Sequence, residues 1–299
     1  MHSTPPPFGI ATPIASGLVR VLAPNPGPMT HWGTNSYVIG DDEVAILDPG
    51  PDSDPHLAAL KAATGDRPVV AILVTHAHRD HSALAPRAAA AFDAPVFAFG
   101  PPEAGRSATM QRLAAGGLTG GGEGVDATFR PDKTLGHEAT LDLGPERLTA
   151  LHTPGHFAGH LAFVWGDTIL TGDLVMGWAS TLISPPDGDV AAFRMALDRL
   201  EARPSARLAP GHGPAVDAPQ ERIRALRAHR AAREGAILDT LADHPATIAS
   251  LTAAIYTDTP PGLRPAAERN VFAHLIDLED RNLVTADPHL APDATYMRL

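Results

Sequence analysis

Cysteine does not occur in the 299 residues. Its absence excludes disulfides, thiolate nucleophiles and cysteine-ligated zinc, so a bound metal would have to be held by histidine and carboxylate. No uncharged apolar run reaches the roughly 18 residues that a bilayer-spanning helix requires, and no membrane partner is expected. The amino-terminal stretch MHSTPPPFGIATP has neither a basic segment nor an apolar core. It predicts no signal peptide, and the protein is expected to be cytoplasmic. Positive charge is also in deficit. Against 34 Asp and Glu stand 23 Lys and Arg, a formal net charge of −11. That balance disfavours a broad face for a nucleic-acid backbone.

What is present suits a globular chain. The composition is 44% hydrophobic and 19% charged, and the length allows one large domain and a small one. TNSYVIGDDEVAILDPG, from Thr34, is two β-rich runs about a Gly-Asp-Asp turn and predicts a hairpin. DPHLAALKAAT has helical spacing, PVVAILVTH is an apolar run suited to a covered strand, SALAPRAAAAFDA reads as a helix and PVFAFG as another strand. This alternation predicts α/β layers. LAAGGLTGGGEG, within 101–130, predicts a flexible loop, because each glycine adds backbone freedom that ordering must remove. Short strands return from HEATLDLGPERLTALHTPGH through HLAFVWGDTILTGD, followed by a helix with Phe193, Leu197 and Leu200 on one face and Asp189 as its cap. From near Gln220 the order is helix, helix, turn, long helix and tail, similar to a small helix-turn-helix unit. No internal repeat is present.

The chemistry concentrates in VTHAHRDHS. His76, His78, Asp80 and His81 fall together at the mouth of a predicted strand. In extended backbone His76 and His78 share a face, and the start of a helix can swing Asp80 and His81 toward a neighbouring point. Such a segment can serve two metal ions but cannot complete both sites. Further ligands are expected at strand ends beside Gly or Pro: His156 in HTPGH, Asp173 in ILTGD and His212 in APGHG. The plain alternative, a loop of surface histidines, does not account for so many ligand types in one place.

THAHRDH, HTPGH, TGD and PGHG, in this order and spacing, resemble the metallo-β-lactamase superfamily from about Thr34 to Pro214. With the C-terminal helices, the chain resembles the lactamase-like proteins that carry a winged-helix-type tail, a group that includes a mitochondrial endoribonuclease acting on single-stranded RNA. The resemblance implies a four-layer αββα sandwich over 1–219 and a small helical, winged-helix-like domain over 220–299. It also implies two divalent ions, zinc first, with iron or manganese as alternatives. His76, His78 and His156 would hold one ion, Asp80, His81 and His212 the other, and Asp173 would bridge them. A water between two such ions has its pKa lowered toward neutrality and supplies hydroxide for hydrolysis, with Asp80 orienting it as the catalytic carboxylate.

Around these, Asp48 is a candidate to accept a ligand histidine's N–H, and His152 and His160 are candidates to orient ligands through hydrogen bonds. His137, His229 and His244 read as solvated. Substrate choice is expected from three loops over the metals: PGPMTHWGTNSY, the Gly-rich 101–130 region and VMGWASTLISPPDGD, with Trp32, Trp178 and Ser180 as candidate substrate contacts. The last loop has no Lys or Arg, which disfavours a phosphate-rich substrate. From Ala236 onward nine acids face four arginines and no lysine, so the tail reads as a lid, a packing module or a homodimer surface. Arg222, Arg224, Arg227, Arg230 and Arg233 read as a solvated helix face. The expected activity is metal-dependent hydrolysis of a small ester or thioester; the alternative is a metal-dependent endoribonuclease acting on single-stranded RNA.

Overall fold

The structure is a computed structural model describing residues 4–120 and 124–299. A seven-stranded sheet runs in chain order: β1 (Ala11–Ala15), β2 (Leu18–Leu22), β3 (Asn35–Ile39), β4 (Val44–Leu47), β5 (Val69–Leu73), β6 (Val96–Ala98) and β7 (Lys133–Thr134). Its first four strands pair antiparallel and its last four parallel, so the sheet is mixed. A five-stranded sheet contains β8 (Thr140–Leu143), β9 (Glu146–His152), β10 (Leu161–Trp165), β11 (Thr168–Gly172) and β12 (Arg207–Pro210), in the order 12-11-10-9-8. The helices are α1 (Asp54–Thr64), α2 (Arg79–Ser82), α3 (Ala85–Phe92), α4 (Ala108–Ala115), α5 (Val190–Glu201), α6 (Pro219–Asp243), α7 (Ile248–Ile255) and α8 (Arg264–Asp280).

Side-chain alternation along the strands builds the layers. Tyr37, Ile39, Ala45, Leu47, Ala71 and Leu73 point to one side of the first sheet and meet Leu161, Phe163, Leu170 and Ala209 of the second. The alternate residues Val38, Val44, Ile46 and Ile72 point outward onto Leu60 of α1 and Ala85 and Ala88 of α3. On the far side Ala162, Ile169 and Leu208 pack on Phe193, Leu197 and Leu200 of α5 and on Ile223 and Leu226 of α6. Three apolar seams separate helix, sheet, sheet and helix. This is the four-layer αββα sandwich.

The second half of α6, through Ile237 and Leu241, belongs to a fourth core with Leu251 of α7, Phe272, Leu275 and Ile276 of α8, and Tyr296. Here the tail, to which no strand was assigned from the sequence, forms strands. β14 (Val284–Asp287) and β15 (Thr295–Arg298) make an antiparallel wing, and β13 (Ala246–Thr247) adds to β15. The three helices and the wing form the small C-terminal winged-helix domain.

Two other expectations change. β1 and β2 lengthen the first sheet, although no strand was expected before Thr34. Within 101–130 the chain forms α4, with the Ser107 hydroxyl capping Met110 N–H and Met110 buried in the C-terminal core. The rest of the expected Gly-rich loop includes 121–123, which lie outside the described residues, as do residues 1–3 of the amino-terminal stretch. Among the described residues no helix is long and apolar enough to cross a membrane.

Candidate metal centre

The site lies where the C-terminal ends of β4, β5, β11 and β12 meet the His152–Leu161 connection. β5 ends at Leu73, and the following residues deliver His76 from a bend, where extended backbone was expected, His78 from extended backbone, then Asp80 and His81 from α2. His76 Nε2 lies 2.8 Å from His78 Nδ1, which is 3.2 Å from His156 Nε2. A second group forms beside it: His81 Nε2 is 3.2 Å from His212 Nε2, and His212 Nε2 is 3.2 Å from Asp80 Oδ2. Asp173 sits between the groups, 3.5 Å from His81, 3.4 Å from His212 and 3.8 Å from His156.

The outward nitrogens identify which inward atoms are free to ligate. His156 Nδ1 is 2.7 Å from Leu182 O and His212 Nδ1 is 3.1 Å from Gly33 O, so both rings donate outward and present lone pairs inward at Nε2. His81 Nδ1 lies 2.8 Å from Asp48 Oδ2, and His76 Nδ1 is 2.9 Å from Thr75 Oγ1. Two imidazole lone pairs about 3 Å apart repel unless a proton or cation lies between them. Buried Asp173 Oδ1 has no hydrogen-bond partner among the described residues. Gly211 leaves room for this convergence, since a Cβ there would lie 2.5 Å from Asp173 Oδ1 and 2.8 Å from the His81 ring.

The electrostatics point the same way. Burial pushes His76 far down and His78 to about 3, so both stay neutral and can ligate. Burial also opposes charge on His81 and His212. The Asp80, Asp173 and Asp48 carboxylates nevertheless raise His81 well above its ordinary value, and Asp173 and Asp80 raise His212 to about 9. Burial would raise the Asp173 carboxyl, but His212 and His81 hold it well below the usual carboxylate range. The same contest, won by His81 and His212, lowers Asp80. This is a place built to stabilise positive charge. The donors therefore fit two divalent cations held by nitrogen and oxygen.

The surrounding contacts fix the ligands. Asp48, at a left-handed φ of 48°, accepts from Thr75 N–H at 2.7 Å and from the Thr75 hydroxyl at 2.9 Å while facing His81. His160 Nε2 accepts the Asp173 backbone N–H at 3.3 Å, and its Nδ1 lies 2.9 Å from Thr153 Oγ1. Gly172, at φ 48°, permits that approach, because a Cβ there would lie 2.5 Å from His160 Nε2. His152 stands further away. It stacks on Phe99 at 4.0 Å and bonds Ala158 O at 2.9 Å, without touching any of the converging side chains. Asn35, Tyr37 and Thr75 were not expected at the site. Asn35 donates to Pro210 O and Gly213 O, both at 2.9 Å, and Tyr37 donates to Pro210 O at 2.7 Å, which together anchor the His212 turn.

A cavity of about 260 Å³ opens over Asp80, His156, Asp173 and His212. Met29, Met176, Trp178, Ala179, Ser180 and Leu182 form one side. The C-terminal domain supplies the other with Tyr256, Thr259, Leu263, Ala266, Ala267 and Asn270. No Lys or Arg lines it among the described residues. Trp32 stands behind this wall: its ring is 4.9 Å from His31, whose ring is 4.7 Å from Trp178. None of the described residues of 101–130 lines the cavity, contrary to the expected loop arrangement.

Of the five α6 arginines expected on a solvated face, Arg224 is exposed, but the other four are partly or fully buried and bonded to the protein. Arg222 donates to Met176 O at 2.7 Å and Ala179 O at 2.6 Å, and Arg227 pairs with Asp198 and Glu201. Buried Arg230 donates to Thr181 O and, at 3.1 Å, to Asn270 Oδ1, which also accepts Ile183 N–H at 3.0 Å. The bonded loop carries Leu182 O, the acceptor of His156, and the Thr181 hydroxyl, which donates to Asp173 O. Periodicity alone could not foretell this, since a charged side chain bonded to a distant carbonyl leaves the same pattern as one in water.

The αββα fold and a binuclear metal-binding site define a metal-dependent hydrolase. The chain belongs to the metallo-beta-lactamase superfamily, which it matches over residues 29–212, and residues 247–289 match the beta-lactamase associated winged helix domain. It is 28% identical to a beta-lactamase-like protein 2 homolog of Drosophila melanogaster over 281 residues, 90% of this chain and 89% of that one. It is 29% identical over 247 residues to an atrochrysone carboxyl ACP thioesterase of Aspergillus chevalieri, 79% of this chain and 69% of the other. A crystal structure of a beta-lactamase domain protein from Burkholderia ambifaria has the same fold, with a TM-score of 0.81 at 23% identity, covering 99% of this chain and 95% of that one.

Proposed function

We propose that the protein hydrolyses small carboxylic esters or thioesters. In this reading His76, His78 and His156 hold one divalent ion, Asp80, His81 and His212 hold the second, and Asp173 serves both. Zinc suits these nitrogen and oxygen donors, as do iron and manganese. When bound, the ions lower the pKa of water and polarise the acyl carbonyl. Asp80, the least buried of the ligand set, orients the attacking water toward the cavity. His160 holds the backbone of Asp173, and Asp48 holds His81 with its inward nitrogen free. Trp178 and Ser180 contact substrate, with Trp32 supporting Trp178 through His31. We place the hydrolase domain at 1–219 and the C-terminal domain at 220–299; α6 begins at this boundary and packs on both.

The observation that carries the acyl reading is the cavity wall. It is mainly apolar, and the charges it exposes belong to the proposed metal ligands, so an acyl chain is favoured over a string of phosphates. The similarity to a protein named as a thioesterase supports the same chemistry. The test is elemental analysis of gently purified, metal-resupplied protein, followed by a panel of esters, thioesters, phosphodiesters and short RNA. The expected result is close to two transition-metal ions per chain, with ester or thioester turnover. Stoichiometry near zero, or turnover confined to RNA, would overturn the reading.

A further inference from the structure

Beyond the loop that walls the metal cavity lies a second space of about 320 Å³. It is lined by Arg222, Ala225, Leu226 and His229 of α6 and by Trp178, Ala179 and Ser180, the last three shared with the metal cavity. The two spaces abut along that loop. The metal cavity, at about 260 Å³, is near the lower limit for a small-molecule site, so a longer substrate must extend past its rim.

Arg222, His229 and Arg233 lie at i, i+7 and i+11 and share a side of α6, with buried Arg230 beside them. Arg222 uses Nε and Nη2 on Met176 O and Ala179 O. Arg233 donates to Ile255 O at 2.9 Å and lies 4.4 Å over the Tyr256 ring. Arg230 donates to Thr181 O and Asn270. Carbonyl oxygens accept from all three guanidiniums, although Arg230 Nε has no partner among the described residues, and they cancel none of the three charges. Among the described residues no carboxylate lies within ion-pairing distance of Arg222, Arg230 or Arg233, whereas their neighbours Arg194, Arg227 and Arg281 all have acidic partners. His229, expected to be solvated, is half-buried. Burial first, then the charges of Arg230, Arg233 and Arg222, lower its pKa, and no acid offsets them. Three uncompensated cations thus stand around His229 in a chain whose net charge is −11, with Arg222 lining the cavity and Arg230 and Arg233 lying behind it. Partly buried cations without a counter-charge are unfavourable, and an anion is the complement they lack.

We propose that the Arg222–His229 cavity is the subsite for a remote anionic group, a phosphate or a carboxylate, on the ester or thioester cleaved in the adjoining cavity. This rests on the acyl hydrolase reading. The acyl carbonyl lies at the metals, the body of the substrate crosses Trp178 and Ser180, and the charged end reaches Arg222 and His229. The protein then selects acyl compounds charged at one end.

The test compares kcat/KM for thioesters on metal-loaded protein. One arm sets an N-acetylcysteamine thioester against the phosphopantetheine thioester of the same acyl group, which places a phosphate on the thiol side. The other sets butyryl against succinyl N-acetylcysteamine, which places a carboxylate on the acyl side. One anionic member should be preferred about tenfold or more, chiefly through KM, and the ratio should fall toward one in Arg222→Gln and His229→Glu. Because Arg222 also ties the loop, His229→Glu is the cleaner probe, with folding checked by circular dichroism. Ratios near one for both arms in the wild type, or ratios unmoved by both substitutions, would overturn the proposal.

Calorimetry with S-methyl phosphopantetheine and S-methyl pantetheine separates this subsite from the hydrolase reading. Phosphate-dependent binding lost in His229→Glu, without turnover of any thioester, would sustain the subsite and sink the reaction. Thioester turnover without any anionic preference would do the reverse. Single-stranded RNA binding lost in His229→Glu, with no preference among thioesters, would assign the cations to a polyanion and overturn the proposal.

Discussion

Asp173 meets histidines from three separate segments, within 4 Å of His81, His156 and His212, although it is 92 positions from the first and 39 from the last. Such convergence was legible because each contributing residue sits in a short motif at a strand end, where Gly or Pro turns the backbone. Thr75, Asn35 and Tyr37 were not legible, because hydroxyl and amide side chains in strands, or just past a strand end as at Thr75, resemble ordinary residues of such segments until the tertiary fold supplies their partners. Asp80→Asn should lower kcat on the best substrate at least about a hundredfold with the fold intact, because a ligand and an orienting carboxylate are lost together. Asp173→Ala should lower it further. Near-wild-type kcat in either variant, with folding verified by circular dichroism, would move the chemistry elsewhere. His274 on α8 gives a separate acid effect. Neither of its nitrogens has a partner among the described residues, and burial, with Arg230 and Arg194 adding to it, lowers its pKa to about 3. Above a pH of about 6.5 both folded and unfolded forms are neutral there. Below it the unfolded chain takes a proton that the folded chain refuses until about 3, so stability is lost as pH falls through that window. His274→Leu should flatten urea-unfolding stability between about pH 6 and 4 relative to wild type. An unchanged slope would show that the ring is not carrying this linkage.

At the scale of elements, the strands with clean alternation and the helices α1, α3 and α5 follow from periodicity, down to Asp189 accepting Ala192 N–H at 3.0 Å. The wing did not, because β14 and β15 are four residues each and strands that short give little periodic signal. The coupling between α6, α8 and the 176–185 loop was also hidden, since it runs from side chains to backbone. It has a consequence for the metal centre. Arg230 and Asn270 hold Thr181 and Ile183, which flank the carbonyl that accepts His156. Arg230→Met should therefore weaken metal binding on the order of tenfold, the range seen when groups that orient ligands are removed. Thermal stability of the metal-free protein should fall as well, by about 1–3 kcal/mol for the buried acceptors left unpaired. Metal titration against a chromophoric chelator measures the first effect separately from the second. Wild-type metal affinity in a destabilised Arg230→Met protein would reduce the clamp to packing.

At the scale of the whole molecule, the net charge of −11 and the arrangement of its few cations bear on what can reach the site. Arg194, Arg227 and Arg281 are neutralised by acids, whereas Arg222, Arg230 and Arg233 stand around His229, and of these three only Arg222 lines the cavity. A strand of RNA gains affinity by neutralising several phosphates, so its binding falls by roughly 0.7 log units per log unit of salt for each phosphate engaged. One arginine at the cavity, with two further cations behind it, can favour one small anion but offers no track along a backbone. Binding of a single-stranded RNA oligonucleotide should therefore be weak or undetectable by fluorescence anisotropy, with little salt dependence, while ester or thioester turnover persists. Arg224→Ala combined with Arg227→Ala, which removes α6 charges outside the cluster, should leave that weak binding unchanged. If RNA binds tightly, with a slope corresponding to four or more phosphates, and the double variant reduces it, then the helix follows a nucleic-acid backbone and the endoribonuclease reading takes precedence.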